Sequence, residues 1–357
     1  MTRTFPDSIS SDRSSNPSRV PESAGASHSF RPVVFGEALF DHFPDGSRVL
    51  GGAPFNVAWH LRGFGAHPLL VTSVGQDPEG QEILERMEFW EMDASGVQIH
   101  PTKPTGRVTA RLKDGQPTFE IEADQAFDGI SLEGLPDAAR LGQAPSSPSL
   151  LYFGSLCLRE ETSAATLAYL RETLEGATPD GKTSEGKAPE GKAPDEVAPQ
   201  APTLVDVNLR APWWERDRVR NHIHGVDWLK VNDEEVGLLT GRPVTTESEI
   251  MEAAQALKNE LGITNVVVTL GSRGAVALLP DGPVRVEGRK LPDLVDTVGA
   301  GDAFTSVLAL GIHGGWPPET LLRRASAFAG EICRTRGAIS ADPELYLSTL
   351  REWNHAP

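Results

Sequence analysis

The 357-residue chain contains little cysteine and no long apolar run. Its two cysteines, Cys157 and Cys333, lie far apart, which favours two buried thiols of a reduced protein over a disulfide framework. No segment reaches the roughly 20 apolar residues that a membrane-spanning helix needs. The first 30 residues lack the apolar core of a secretory signal. These absences predict a cytoplasmic protein without a membrane partner.

Basic residues are scarce relative to acidic ones. Asp and Glu number 50 against 33 Lys and Arg, which gives a formal net charge of −17. This balance argues against nucleic acid or an anionic membrane as a partner. It does not oppose a small anionic ligand, because helix termini, Arg side chains and a cation can outweigh a diffuse field. The nine histidines form no Cys/His cluster typical of a metal site.

Short apolar segments alternate with helical patterns from Arg31 onward. The strand-like segments are 32–36, 69–75, 150–154, 204–208, 226–232, 266–271 and 275–280. The helical segments are 55–64, 79–92, 162–174, 247–260 and 319–336. This alternation predicts an α/β fold with a mostly parallel central sheet covered by helices.

Residues 105–123 show a different pattern, in which Val108 and Ala110 alternate with polar residues before Asp114-Gly115 predicts a turn. With residues 38–50, this hairpin is expected to form a small β-sheet lid.

The remaining segments define the expected domain boundaries. Residues 1–30 are rich in Ser and Pro and predict a disordered tail before a folded domain over 31–350. Residues 176–202 contain EGKAP twice and predict a solvated insertion, and 351–357 are expected to be a C-terminal tail. Gly176–Thr183 matches the P-loop pattern by chance, because no strand precedes it and a Pro/Gly/Lys repeat follows.

The most informative segment is Asp296–Phe304, DTVGAGDAF, which opens into an apolar run typical of a buried helix. Gly299, Ala300 and Gly301 therefore lie where backbone N–H groups are unpaired and the helix dipole favours an anion. Asp302 lies in the first turn, where it can accept a proton from a hydroxyl that attacks a phosphoryl group. The dipole predicts an ionised Asp302 at neutral pH. The structural alternative is an Asp that caps a glycine-rich turn.

This segment resembles the signature of the ribokinase-like (PfkB-type) carbohydrate kinases. The resemblance implies a three-layer ribokinase-like fold with a small β-sheet lid. It also implies that Asp302 is the catalytic base and that the backbone of Gly299, Ala300 and Gly301 forms the anion hole.

Two segments near the start of the domain resemble sugar-binding elements of the fructokinase branch. Gly36–Asp41, GEALFD, is similar to GExLxD, and Gly51–Asn56, GGAPFN, is similar to GGAPxN. The resemblance implies that Asp41, Gly52 and Asn56 hold sugar hydroxyls. A surface Asp and a helix-capping Asn are the structural alternative.

Asp206–Arg210, DVNLR, resembles the DxNxR element of fructokinases and related sugar-acid kinases. Its polar residues alternate at a strand end, which predicts that they point to one side. The resemblance implies that Arg210 faces the sugar or the transferring phosphoryl group, and Ser155 is expected in the same substrate pocket. An ion pair between Asp206 and Arg210 is the structural alternative.

Two further motifs are expected on the nucleotide side. Asn232 and Glu235 match the family's NxxE element, and one helical turn places both side chains where they can order waters around Mg²⁺–phosphate. A helix N-cap with an acidic first turn is compatible with that role. In the family the TLGSRG run lines the nucleotide phosphates with backbone N–H groups. The resemblance therefore implies nucleotide contacts for Thr269, Gly271, Ser272 and Gly274, together with Gly301.

Asp296, Val298 and Gly337 correspond to positions where relatives bind a monovalent cation, so K⁺ activation is a hypothesis of the resemblance. The motifs follow the family's order over about residues 31–350. They imply an ATP- and Mg²⁺-dependent sugar kinase, first of all a fructokinase, with two subunits paired through the lid. Ribose, 2-keto-3-deoxygluconate or a nucleoside are alternative acceptors. A sugar-sensing protein without catalysis is the alternative from another class.

Overall fold

The computed structural model describes residues 30–113, 116–136, 149–175 and 201–355. In these residues the strands are β1 Val33–Phe35, β2 Leu39–His42, β3 Arg48–Gly51, β4 Leu69–Gly75, β5 Val97–His100, β6 Gly106–Lys113, β7 Gln116–Ile121, β8 Leu151–Gly154, β9 Thr203–Asp206, β10 Trp228–Asn232, β11 Asn265–Thr269, β12 Gly274–Leu279 and β13 Gly282–Glu287. The α-helices are α1 Ala53–Gly63, α2 Pro78–Phe89, α3 Glu161–Glu175, α4 Arg216–His222, α5 Asp233–Thr240, α6 Glu247–Glu260, α7 Ala300–His313, α8 Pro318–Ile332 and α9 Pro343–His355.

The large sheet has the strand order β13-β12-β11-β10-β9-β8-β1-β4-β5. Its strands run parallel from β11 to β5, and β12 and β13 are added antiparallel at one edge. The inner strands are buried on both faces, as β4 illustrates with seven buried residues out of seven. Such continuous apolar strands are typical of a parallel sheet with helices on both sides.

Two hydrophobic cores lie against the large sheet. One is formed with α1, α2, α7, α8 and α9, and the other with α3, α4, α5 and α6. Helix α7 is buried from Ala303 to Gly311, because its AFTSVLALG sequence presents no charged face to solvent. The prediction of a mostly parallel sheet flanked by helices is therefore confirmed. None of the helices in the described residues is both long and apolar enough to span a membrane.

The small sheet has the order β3-β2-β6-β7 and contains the two segments predicted for the lid. Strand β2 pairs antiparallel with β3 and parallel with β6, which forms a hairpin with β7. Asp114 and Gly115, the predicted turn of that hairpin, lie outside the described residues. Ion pairs hold this sheet against α2, including Arg48 with Glu82 at 2.6 Å.

A buried arginine joins the two sheets. The Arg159 Nε and Nη2 groups donate to the two carboxylate oxygens of Asp128, each at 2.7 Å. Arg159 also donates to the carbonyl of Glu122, which directly follows β7. Its guanidinium lies 4.2 Å from the ring centre of Trp213, whose indole N–H donates to Ile121 O at 3.0 Å. The end of the small sheet is thus tied to loops that follow β8 and β9.

Several predicted boundaries are wrong. The C-terminal tail expected from residue 351 is the last part of α9, which runs to His355 because Trp353 is buried against Phe64. Phe30, placed in the N-terminal tail, is buried and stacks on His313. Ala201, placed in the insertion, is buried and bonds back to Leu174.

Other differences concern helices and strands. The helix predicted to reach residue 336 ends at Ile332, and β5, β13, α4 and α9 were not predicted, because their patterns are short or strongly polar. Residues 1–29 and 176–200, including the P-loop-like match, lie outside the described residues.

Candidate active site

The carboxyl ends of the parallel strands bring most of the predicted site to one edge of the large sheet. Register pairs place Gly154 beside Asp206, Asp206 beside Lys230, and Asn232 beside Thr269. Strand β1 lies between β8 and β4, so the chain order of the sheet reverses at β1. A crevice at such a switch point is the usual ligand site of an open α/β sheet.

The turn that opens α7 requires small residues. Gly299 is the N-cap residue with φ of 77°, and a Cβ there would stand 2.4 Å from Ala338 Cα. The first helical bond runs from Ala303 N to Gly299 O, and Ala300 N donates to Thr297 O at 3.3 Å. The amides of Gly301 and Asp302 therefore precede the helical hydrogen-bond ladder and can face an anion.

Asp302 and Asn56 join the first turns of two helices. The Asn56 amide donates to Asp302 Oδ2 at 2.7 Å. Helix α1 starts at Gly52, which has φ of 102° and whose Cβ would stand 2.5 Å from Glu37 O. Only glycine combines this conformation with this close approach. The left-handed turn at Gly52 thus orients the Asn56 side chain toward Asp302.

Asp302 is not held ionised as the sequence predicted. Its pKa is raised to about 7, chiefly by burial with a contribution from the Asp206 carboxylate, against the opposing effects of the Asn56 hydrogen bond, Lys230 and Arg210. The effect of desolvation on the pKa of Asp302 therefore outweighs that of the helix dipole. An acid near pH 7 can both accept and release a proton there, which suits a general base.

Glu37 is a second buried acid that the sequence motif did not identify as functional. Burial raises its pKa to about 7, with Asp302 adding to the rise and Arg210 opposing it. Within the described part of the chain, Glu37 Oε2 has no hydrogen-bond partner. Asn56 Oδ1 and Asp206 Oδ1 are also buried without a partner there. Buried acceptors without donors point to a ligand or water in the crevice.

Asp206 pairs with Lys230, and the predicted alternative of an Asp206–Arg210 ion pair is wrong. Lys230 Nζ donates to Asp206 Oδ2 at 2.8 Å, and the Thr305 hydroxyl donates to the same oxygen at 3.0 Å. Burial alone would lower the pKa of Lys230, but the carboxylates of Asp206 and Glu235 raise it above its usual value. Lys230 Nζ would lie 3.2 Å from a Cβ on Gly301. A positive charge thus stands beside the predicted anion hole.

The alternation predicted from Asp206 to Arg210 stops where β9 ends, at Asp206. Asn208 takes φ of 42°, so the three polar side chains are not carried on one strand face. The Arg210 charge nevertheless opposes the raised pKa of Asp41, which burial brings to about 6. Arg210 therefore lies close enough to Asp41 for its charge to lower the pKa of that carboxyl. The Ser155 hydroxyl donates to Val207 O and ties β8 to the segment after β9.

Asn232 and Glu235 form a capping box at the start of α5, as the structural alternative predicted. Asn232 Oδ1 accepts from Glu235 N at 2.8 Å, and Glu235 Oε2 accepts from Asn232 N at 2.9 Å. Glu235 Oε1 accepts from Leu209 N at 3.0 Å. Each of these oxygens already binds one N–H group but keeps a second lone pair. They fit contact with Mg²⁺ through water better than direct ligation.

The TLGSRG segment is a tight turn between β11 and β12. Gly271 has φ of 57°, and Gly271 and Ser272 are exposed at its tip. Gly274 has φ of 101°, and a Cβ there would lie 2.1 Å from Val286 O. Arg273 pairs with Asp233 of α5 at 2.5 Å. The turn is thereby held against the helix that carries Glu235.

The three residues predicted for a monovalent cation are brought together. Asp296 Oδ1 accepts from Val298 N at 3.1 Å, and Asp296 Oδ2 accepts from Gly337 N at 3.3 Å. The Cys333 carbonyl accepts the amides of Val295 and Asp296. In the described ranges, no three His, Cys, Asp or Glu side chains are grouped as a metal site.

Comparison with known proteins identifies what the fold and site resemble. Residues 33–174 and 190–345 match the pfkB family carbohydrate kinase profile. Fructokinase-2 of Zea mays is 28% identical over 336 residues, which cover 87% of this chain and 90% of that protein. An Arabidopsis thaliana ribokinase is 36% identical over 124 residues, 34% of this chain and 32% of that protein.

A solved fructokinase double mutant from Vibrio cholerae O395, with bound fructose, ADP and potassium ion, has a TM-score of 0.69 and 22% identity. The structural match covers 90% of this chain and 99% of the Vibrio cholerae chain. The similarity shows that the two chains share a fold.

The raised pKa of Asp302 predicts a pH-dependent gain in stability for Asp302→Asn. The folded protein retains a proton on Asp302 from its ordinary pKa of 3.8 up to about 7, whereas the unfolded chain releases it. The wild-type carboxyl therefore costs stability increasingly as pH rises through that interval. Urea unfolding of both proteins at pH 5 and pH 8 should show a larger stability advantage of the variant at pH 8. An advantage that is equal at both pH values, or larger at pH 5, would refute the raised pKa.

Proposed function

Because this chain belongs to the pfkB family of carbohydrate kinases, we propose that it transfers the γ-phosphoryl group of ATP to a hydroxyl of D-fructose, giving fructose 6-phosphate. One observation carries the reaction type. A half-buried carboxyl, Asp302, lies in the first turn of a helix whose N-terminus is open to an anion, and its pKa is raised to about 7. A structural Asp would not need that combination.

Asp302 takes the proton of the attacking hydroxyl as the new O–P bond forms and the bond from the γ-phosphorus to the bridging oxygen breaks. ADP leaves with the electron pair of the broken bond. The amides of Gly301 and Asp302 and the dipole of α7 stabilise the charge on the transferring group. Lys230, 3.2 Å from the position of a Gly301 Cβ, adds a positive charge.

Mg²⁺, when bound, would neutralise the nucleotide phosphates, and Asn232 and Glu235 would hold it through water. The TLGSRG turn supports a phosphate role because exposed Gly271 and Ser272 leave the backbone accessible. We place Thr269 and Gly274 in the same nucleotide site. In this proposal ATP reaches the site along the carboxyl edge of β10 and β11.

The sugar side is lined by acceptors for hydroxyl hydrogens. Glu37 Oε2 and Asn56 Oδ1 are buried and without partners in the described residues. Asp41 on β2 is half-buried, and Arg210 supplies the opposite charge. Such a set suits a polyhydroxylated acceptor, and Ser155 borders it. The Zea mays fructokinase relative favours fructose among such acceptors.

The small sheet carries Asp41 and would close over the sugar as a lid, which excludes water and limits ATP hydrolysis. Val49 and Phe119 of this sheet are 41% and 56% exposed. Large exposed apolar side chains on a sheet favour burial against a partner. We infer that two subunits pair through this face.

Ribose is the second candidate acceptor, supported by the ribokinase segment match. 2-Keto-3-deoxygluconate would use Arg210 for its carboxylate, and a nucleoside would require an aromatic surface for its base. A sensor that only binds sugar would have no use for Asp302 as a base.

The acceptor and the base are tested together by ADP release from MgATP with fructose, ribose, glucose, 2-keto-3-deoxygluconate and adenosine. We expect fructose to give the highest kcat/KM, and Asp302→Asn to lower kcat by about 10²–10⁴-fold, the usual contribution of a general base. Sugar binding measured by calorimetry should persist in this variant.

Asp281→Asn, a change of the same kind in an exposed turn, is the control and should keep full activity. A higher kcat/KM with ribose than with fructose would identify ribose as the acceptor. Turnover that survives in Asp302→Asn would refute its role as base.

The proximity of Asp296, Val298 and Gly337 supports the proposal that K⁺ binds beside α7 and activates the enzyme. The Vibrio cholerae fructokinase structure contains a potassium ion. We expect several-fold higher kcat in KCl than in NaCl or tetramethylammonium chloride at equal ionic strength. Asp296→Asn should reduce this difference, because the carboxylate charge is lost. Equal kcat in the three salts would contradict the proposal.

A further inference from the structure

Helix α1 contacts both sides of the anion-binding turn of α7. Asn56 in its first turn reaches Asp302. One turn later, His60 Nε2 lies 3.0 Å from the carbonyl oxygen of Ala338. Residues four apart share one face of a helix, so a single face of α1 serves both contacts. The neighbouring Trp59 donates its indole N–H to Ser340 O at 2.8 Å.

The hydrogen-bond direction at His60 follows from its partners. His60 is fully buried, and burial lowers the pKa of its imidazole to about 4, so the ring is neutral at physiological pH. A neutral ring has one N–H, and a carbonyl only accepts. Nε2 therefore donates to Ala338 O, and the unprotonated Nδ1 lies 3.0 Å from the Tyr346 hydroxyl oxygen, whose single proton is shared with Ser340 O at 3.1 Å.

The carbonyl that His60 holds belongs to the wall of the anion-binding turn. A Cβ on Gly299 would lie 2.4 Å from Ala338 Cα and 2.7 Å from Ala338 O. The preceding residue, Gly337, donates its amide to Asp296. A shift of Ala338 would therefore change the space into which the left-handed Gly299 turn fits.

We propose that His60 is a positioning residue that fixes Ala338, and through it the Gly299 turn at the start of α7. The inference rests on the proposed phosphoryl-transfer function, because it assigns the Gly299 turn to the transferring phosphate. A buried imidazole is costly relative to an apolar side chain unless its polar atoms are satisfied. Nε2 of His60 is satisfied by the carbonyl of Ala338, the residue that packs against the turn, and Nδ1 contacts the Tyr346 hydroxyl. His60 thus affects the position of the phosphate, whereas the sugar contacts are made by Asn56 and Gly52 at the start of α1.

The test compares His60→Leu with His60→Gln. Leucine fills the space without a donor, whereas the glutamine amide nitrogen can replace Nε2–H. Tyr346→Phe is the matched control, since it removes the hydroxyl that contacts Nδ1 and Ser340 O but leaves the bond from Nε2 to Ala338 O in place. Thermal melting first confirms that each variant is folded at the assay temperature. Calorimetry then measures MgADP and fructose affinities, and hydrogen exchange by mass spectrometry follows the peptide 296–303.

We expect His60→Leu to weaken MgADP binding and to lower kcat, each by about tenfold, because small displacements of phosphate-positioning groups are costly. Fructose affinity should stay within about twofold, as expected for contacts that do not depend on Ala338. Amide exchange in 296–303 should accelerate in His60→Leu. His60→Gln and Tyr346→Phe should resemble wild type in all these measurements.

Three outcomes would overturn the proposal. A folded His60→Leu protein with wild-type MgADP affinity would show that Ala338 needs no support. An equal loss of fructose and MgADP affinity would indicate general loosening. A glutamine variant as impaired as leucine would exclude the hydrogen bond as the cause. The exchange measurement needs no ligand, so it tests the positioning of the turn independently of catalysis. Absence of sugar-dependent ADP release in wild type would refute the proposed function but not the positioning role.

Discussion

The hydrogen bond from Asn56 to Asp302 is the interaction on which the candidate site depends. It is 2.7 Å long, is partly buried, and joins the N-termini of α1 and α7. Burial raises the pKa of Asp302, and the Asn56 amide limits that rise by stabilising the ionised form. The result is a carboxyl poised near 7. Without the amide, the pKa of the same carboxyl would lie higher.

Much of the fold maintains this arrangement at a cost in stability. Glu37 is a buried acid and Asp302 a half-buried one whose charges repel, and Lys230 is buried with Asp206 as its counter-ion. Removing such groups from water is unfavourable and is usually kept only where function requires it. Gly52 and Gly299 adopt the left-handed conformation and allow the starts of two helices to lie close to the backbone of other segments. The parallel sheet, covered by helices on both faces, supports these turns and the desolvated groups.

The sequence predicted the features that depend on local chemistry. Glycine-rich turns before apolar helical runs located Gly52, Gly299 and the helix starts, short continuous apolar segments located the central strands, and an alternating pattern located the lid hairpin. It did not reveal Lys230 or Glu37 as site residues, because their importance comes from neighbours far along the chain. A lysine between Leu229 and Val231 in an apolar strand was the available signal for Lys230. The ionisation of Asp302 was mispredicted because the dipole is local, whereas burial depends on tertiary packing.

The central claim, that the Asp302 carboxyl is the proton acceptor, is tested most directly by the pH dependence of kcat/KM for the sugar. The acid limb of the wild-type profile should have an apparent pKa near 7, as the burial of Asp302 dictates. Asn56→Leu should move that limb to higher pH, because the amide that stabilises the ionised Asp302 is removed; titration of ATP would not respond to this change. A limb near 4, the ordinary range of an Asp, or a limb that does not shift in Asn56→Leu, would contradict the claim.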